Sequence, residues 1–300
     1  MSAPVATANE LPLKEAHQLL TTFTRFLTVA IHSILYYRRL YPPTTFLSSR
    51  AYNLPVHQNR HPKVCAWIRD AVSAVSAQLA LGTVDRVAVV IHSPLSPDQP
   101  SDDKTLSSIP PGAVLERYLF DVSRFPSWPG GPDAMRDYGN SLRRKDEEED
   151  DDRFAPAAPD EEDEVDNDEA ARERRRRRQQ QQRNGRVNWT DVEEQFRGVL
   201  RRLSHAAERL DPVPEGCTFT VAVELRDEAQ APIGHPQPWI PSEPNLQKPG
   251  GTDLGGAKTT PIRSVEAGPL FFECWVEEGK AKDLLKEPTP TQGNTESSMS

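Results

Sequence analysis

CTFTVAVEL, residues 217–225, is the stretch that decides the fold class. Rich in β-branched and aromatic residues, it is the clearest strand signal in the chain. A helix precedes it directly. Phe196, Val199, Leu200 and Leu203 recur at helical spacing, and the pattern ends near Leu210, before Asp211-Pro212. Order resumes at Trp189, and Thr190 and Glu193 stand in a capping-box relation just ahead of that run.

Upstream of Trp189 the composition changes. Residues 146–152 are an unbroken acidic run and 160–169 a second acidic stretch. Arg174, Arg175, Arg176, Arg177 and Arg178 form a pure arginine block, followed by four glutamines at 179–182. Nothing here buries apolar area to offset chain entropy, so residues 143–186 are expected to be a disordered insert. Order is expected again further upstream. RVAVVIH (86–92) and residues 115–122 read as strands, separated by a Pro/Ser/Asp-rich loop at 93–112. Residues 11–40 read as a long helix carried by Leu20, Phe23, Leu27, Ile31 and Ile34, and ended by Tyr41-Pro42-Pro43. After a loop, Pro62 opens a second helix through Val64, Trp67, Ile68, Ala71, Val72, Val75 and Leu79. Downstream of residue 225, a Pro/Gly-rich stretch at 227–268 holds the isolated Trp239. LFFECWV (270–276) is a last strand, and the tail, residues 281–300, is expected to fray, as is the polar start, 1–10. Helices and strands are grouped rather than strictly alternating. The architecture is therefore α+β, with helices packed on a mainly antiparallel sheet.

The same residues exclude several function classes. The chain has 300 residues, 36 Lys+Arg against 45 Asp+Glu and a formal net charge of −9. The N-terminus lacks a basic start and an apolar core, so no secretion signal is expected. The most apolar stretch, 19–35, is broken by Arg25 and His32, and no membrane span is expected. Cys65, Cys217 and Cys274 are odd in number and dispersed, which points to reduced thiols in a nuclear or cytosolic protein. The seven histidines form no HxxxH or HExxH, and P-loop, GxGxxG and GxSxG motifs are absent. No catalytic residue, metal or cofactor is therefore expected. The arginine block reads either as nuclear targeting or as a solvated run paired with the acids beside it. Those neighbouring acids compete with phosphate, so direct nucleic-acid binding is not expected. Trp239, far from any periodic run, either plugs the core or helps form a binding surface.

Five segments follow one another in the order seen in HORMA-domain proteins: FLTVAIHSILYYRRLYP (26–42), YNLPVHQNRHP (52–62), DRVAVVI (85–91), GCTFTVAV (216–223) and WVEE (275–278). The chain resembles that family over roughly residues 13–280, and within it the accessory, non-catalytic subunits of translesion DNA polymerase zeta. The resemblance implies three helices on an antiparallel sheet and a mobile C-terminal safety belt, residues 227–280, that crosses a captured peptide and docks its last strands on the far side of the domain. It implies a non-enzymatic nuclear adaptor in the DNA damage response. Such an adaptor bridges the catalytic subunit of DNA polymerase zeta, through a peptide motif, to a Y-family scaffold polymerase, and forms HORMA homo- or heterodimers. It further implies peptide contacts at Tyr41, Trp67 and Trp239, a dimer surface at Arg197, and a scaffold-polymerase surface at Glu273 and Trp275. Glu273, Trp275 and Thr259 depart from the family pattern there. The rival readings are a spindle-checkpoint or meiotic HORMA adaptor, and a nucleic-acid-binding protein acting through the arginine block.

Overall fold

Helix α1, Leu13–Tyr37, is the spine of the domain. Leu19, Phe23, Phe26, Leu27, Ala30, Ile31 and Ile34 are all fully buried, and with Leu20 and Leu35 they cover more than one side of the helix. By length and composition both α1 and α2 (Pro62–Leu81) are apolar enough to cross a membrane. The same test is met by core helices of globular domains, and the apolar side of α1 is buried in the protein core. The chain leaves α1 through Arg39 at φ +53° and Pro42-Pro43. Helix α2 begins on Pro62 and stops at Gly82, whose φ of +69° is the left-handed conformation glycine adopts without strain. This computed structural model describes residues 10–95, 109–152, 186–227, 239 and 258–285, with 143–152 described as backbone only.

Five antiparallel strands form the main sheet: β3 (Val84–His92), β4 (Val114–Asp121), β5 (Thr218–Leu225), β6 (Lys258–Ala267) and β7 (Leu270–Glu278). Their spatial order is β5-β3-β4-β7-β6. Val87, Val89, Ile91, Tyr118, Phe120, Phe272, Cys274 and Val276 join the side chains of α1 and of α4 (Trp189–Arg209) in one core. Phe26 and Phe196 stack at its centre, ring centroids 4.4 Å apart and planes nearly parallel.

Five features depart from the sequence expectations. Residues 46–59, read as a loop, form the hairpin β1 (Phe46–Ala51) and β2 (Leu54–Asn59). Its turn residues, Tyr52 and Asn53, both have positive φ, as a two-residue hairpin turn of matching twist requires. The Tyr52 ring lies within 5.8 Å of the Phe196 ring, and burial pushes its hydroxyl up to about 12. An unexpected helix, α3 (Gly131–Asp152), docks by Met135 and by Tyr138 edge-on to His17, and runs into the segment expected to be disordered. At the far end of that segment, the Arg186 guanidinium donates to the Glu10 carbonyl at 2.6 Å. Helix α4 is capped by Asn188, whose side chain accepts from the Asp191 N–H, rather than by a box from Thr190. Residues 258–267 are strand β6, and residues 280–285, expected to belong to the fraying end, form a 3-10 turn, Lys280–Leu285, with Lys282 buried.

Candidate functional site

Strand β5 pairs with β3 on one side, and among the described residues no strand pairs with its other side. Its apolar residues are not sealed. Phe219, Val221, Val223 and Leu225 point at the core side yet are only partly buried, unlike Val87, Val89 and Ile91 on β3, which are fully enclosed. Trp67 of α2 lies edge-on to Phe219, ring centroids 4.8 Å apart. An open strand edge with a half-covered apolar row beside it is the geometry that accepts an extended peptide as an added strand.

The chain changes sheet edge after β5. It leaves β5 at one edge of the sheet and re-enters as β6 at the opposite edge, four strand spacings or about 19 Å away. Besides Arg226 and Asp227, Trp239 is the described residue on this connection, and it sits partly buried against the core cluster. Its indole N–H is buried with no acceptor among the described residues. A buried donor left unmade costs free energy that an incoming carbonyl would recover. Tyr41, just past α1, also packs partly buried on this cluster, and burial raises its hydroxyl pKa. The start of α2 lies at the same end of α1, since the Asn59 N–H donates to His32 and the Cys65 thiol donates to the Asn59 carbonyl. Tyr41 and Trp67 are thus brought to one end of the helix layer.

The end of β7 is tied down by a buried ionic cluster that sequence reasoning missed. Glu116, fully buried on β4, receives a two-pronged hydrogen bond from Arg38, at 2.9 and 2.7 Å, and one from Lys282. Lys282 also donates to Glu278 at 2.6 Å. Arg38 uses its remaining N–H groups on the carbonyls of Ala207, Leu210 and Asp211, at the end of α4. Gly279, between β7 and the turn, has no room for a side chain, because a Cβ there would lie 2.5 Å from the Val114 carbonyl oxygen. The cluster therefore ties the end of the C-terminal hairpin to α1, β4 and α4.

On the sheet face away from the helices, Trp275 and Leu119 are neighbours in register, and the Trp275 indole donates to Glu277 at 2.9 Å. Arg86 and Arg117 bind Asp121, Glu224 and Glu277 around them. Glu273 is exposed on the same face. Arg197, on α4, projects beside the buried stripe and, among the described residues, pairs with Glu194 at 3.3 Å. Glu273 and Trp275 share a surface, but Arg197 is on a different element. The arginines at 174–178 lie outside the described residues.

A HORMA domain model matches residues 20–244. The chain belongs to the HORMA-domain family. It is similar to the DNA polymerase zeta processivity subunit of Schizosaccharomyces pombe, 27% identical over 256 residues that cover 85% of this chain and 90% of the relative. It is also similar to the human mitotic spindle assembly checkpoint protein MAD2B, 22% identical over 262 residues covering 84% and 87% of the two chains. Among solved structures, one chain of the Mitotic Checkpoint Complex shares the fold, with a TM-score of 0.51, 17% identity and coverage of 88% and 96%. HORMA proteins are non-catalytic adaptors, and this member is accordingly not an enzyme. Two of its three thiols agree with that. Burial pushes Cys217 up to about 12 and Cys274 higher still, too high for thiolate chemistry near neutral pH.

Proposed function

We propose that this HORMA protein captures a peptide of the catalytic subunit of DNA polymerase zeta and bridges it, in the nucleus, to a Y-family scaffold polymerase. The observation that carries the reading is the unpaired edge of β5, with Trp67 on Phe219 and the orphan indole N–H of Trp239 beside the same core. The peptide adds as a strand on β5, and Trp67, Trp239 and Tyr41 anchor its side chains; residues 228–238 and 240–257, where the safety belt is expected, lie outside the described residues. Glu273 and Trp275 face the other way, which leaves them accessible to a second partner while the first is held. The kinship to a relative named a processivity subunit of polymerase zeta supports the choice of catalytic subunit.

The test is co-purification with overlapping segments of that subunit, followed by amide hydrogen exchange. One segment should form a complex of one-to-one mass, and exchange should slow along β5. Binding that leaves β5 exchange unchanged would remove the strand-addition model. The relatives named MAD2B favour a second reading, capture of a spindle-checkpoint peptide. Peptides pulled down from cells distinguish the two.

Arg197 is proposed to belong to a HORMA–HORMA dimer surface, because α4 leaves it outside the buried stripe with one exposed carboxylate for company. Light scattering at micromolar concentration should find a dimeric parent and a monomeric Arg197→Ala variant. A dimeric variant would remove Arg197 from that surface.

A further inference from the structure

A groove of about 400 Å³ opens between α1, α2 and β2, away from the edge of β5. Its walls are Thr24, Thr28 and His32 of α1 and Arg69, Ser73 and Ser76 of α2, with Gln58 of β2 at one side. Among the described residues, no carboxylate lines it. The surrounding sequence is equally biased: residues 16–84 contain Asp70 as their one acid, against Arg25, Arg38, Arg39, Arg50, Arg60, Lys63 and Arg69, in a chain of net charge −9. Arg69 is exposed and makes no ion pair among the described residues.

The donors in this groove are placed by the fold. His32 is only 5% exposed, although it sits in the buried stripe of α1 where an apolar residue would pack. Its Nδ1 accepts the Asn59 N–H at 3.3 Å, so the proton of the neutral ring is on Nε2. Burial lowers its pKa to about 4, which keeps the ring neutral at physiological pH. Nε2–H has no acceptor among the described residues. Thr24 and Thr28 donate to carbonyls of their own helix, at 3.0 Å each, and so offer the groove no proton. Ser73 and Ser76 make no such bond among the described residues, so their hydroxyl protons are available. One guanidinium, one imidazole N–H and two serine hydroxyls, none of them with a partner among the described residues, thus line one recess between two helices. A tetrahedral dianion with three terminal oxygens uses donors spread this way, and a planar carboxylate does not.

We propose that this groove binds a phosphate monoester, the phosphorylated serine or threonine of a partner protein. Nucleic acid is disfavoured because affinity for a phosphate backbone comes from several cations along a track, and the recess itself holds one. Phosphotyrosine is disfavoured because no aromatic carbon surface lines the groove to hold its ring.

Calorimetric titration of the full chain tests this, with N-acetyl-O-phosphothreonine methylamide as the probe. Its unphosphorylated counterpart, inorganic phosphate and an oligodeoxythymidylate are the comparisons. The phosphothreonine probe should bind and the unphosphorylated one should not. Arg69→Gln should weaken binding by about tenfold or more while the melting temperature of the free chain stays unchanged, because Arg69 is exposed. The Ser73→Ala, Ser76→Ala pair should weaken it without touching charge. Absence of phosphothreonine binding at millimolar probe, equal affinity for Arg69→Gln, equal affinity for inorganic phosphate, or binding of the oligonucleotide alone would each overturn the proposal.

Discussion

Glu116→Ala is expected to lower the stability of the free chain by about 3–5 kcal/mol, because it strands two buried cations at once. Arg38 and Lys282 are both almost fully enclosed, and each spends its charge on the Glu116 carboxylate. Without Glu116, Arg38 keeps only carbonyl partners, and Lys282 keeps only Glu278. The melting temperature should fall by on the order of 10 °C. Lys282→Met should cost less, since Glu116 retains its two bonds from Arg38. The loss should also be directional: hydrogen exchange should accelerate at β7 and the turn Lys280–Leu285 before it does in α1. A Glu116→Ala variant within about 1 kcal/mol of the parent would mean that the cluster is neutral, as some buried ion pairs are. Acid should act on the same cluster. Burial by itself would raise the Glu278 pKa, but Lys282 and Lys258 outweigh it and leave the carboxyl below its ordinary value. A depressed folded pKa adds stability above the ordinary carboxylate range and loses it as pH falls through the depressed value. The C-terminal hairpin should therefore loosen in acid and hold at neutral pH.

The elements legible in the sequence were those whose own residues supply most of their burial. The strongly periodic α1, α2 and α4 and the β-branched β3 and β5 are of this kind. The missed elements borrow burial from elsewhere. FLSSRA and LPVHQN carry few apolar residues, one contains a proline, and their turn is Tyr-Asn rather than a glycine pair; the hairpin stands because Tyr52 reaches the Phe26–Phe196 stack. KTTPIRSVEA is polar and holds Pro261, which an edge strand tolerates at the register shift seen there. Helix α3 offers little beyond Met135 and Tyr138 for a pattern to find. Arg38, Glu116 and Lys282 look like surface charges in sequence, and only the fold brings residues so far apart together. The site divides the same way. Trp67 and Trp239 were conspicuous as residues, and 217–225 as a strand. That this strand is an edge depends on the order β5-β3-β4-β7-β6, which is a property of the whole sheet.

The two tryptophans should carry most of the affinity for the captured peptide. Trp67→Ala and Trp239→Ala are each expected to weaken binding by about 2 kcal/mol or more, roughly thirtyfold, because large aromatic anchors dominate such interfaces. Both rings also touch the core, so alanine removes packing in the free chain as well. Affinity must therefore be compared with the melting temperature of each variant without peptide. Trp239→Phe separates the contributions more cleanly. It keeps an aromatic ring and deletes an N–H that has no acceptor among the described residues of the free chain. Stability should be unchanged or slightly higher, since an unmade buried donor is removed, while peptide affinity should fall by about 1 kcal/mol if a peptide carbonyl takes that N–H. Trp67→Phe should matter less, because its role is the edge contact with Phe219. If Trp239→Ala leaves affinity within about twofold, below roughly 0.5 kcal/mol, then Trp239 only fills the core, and the strand on β5 is held by other means.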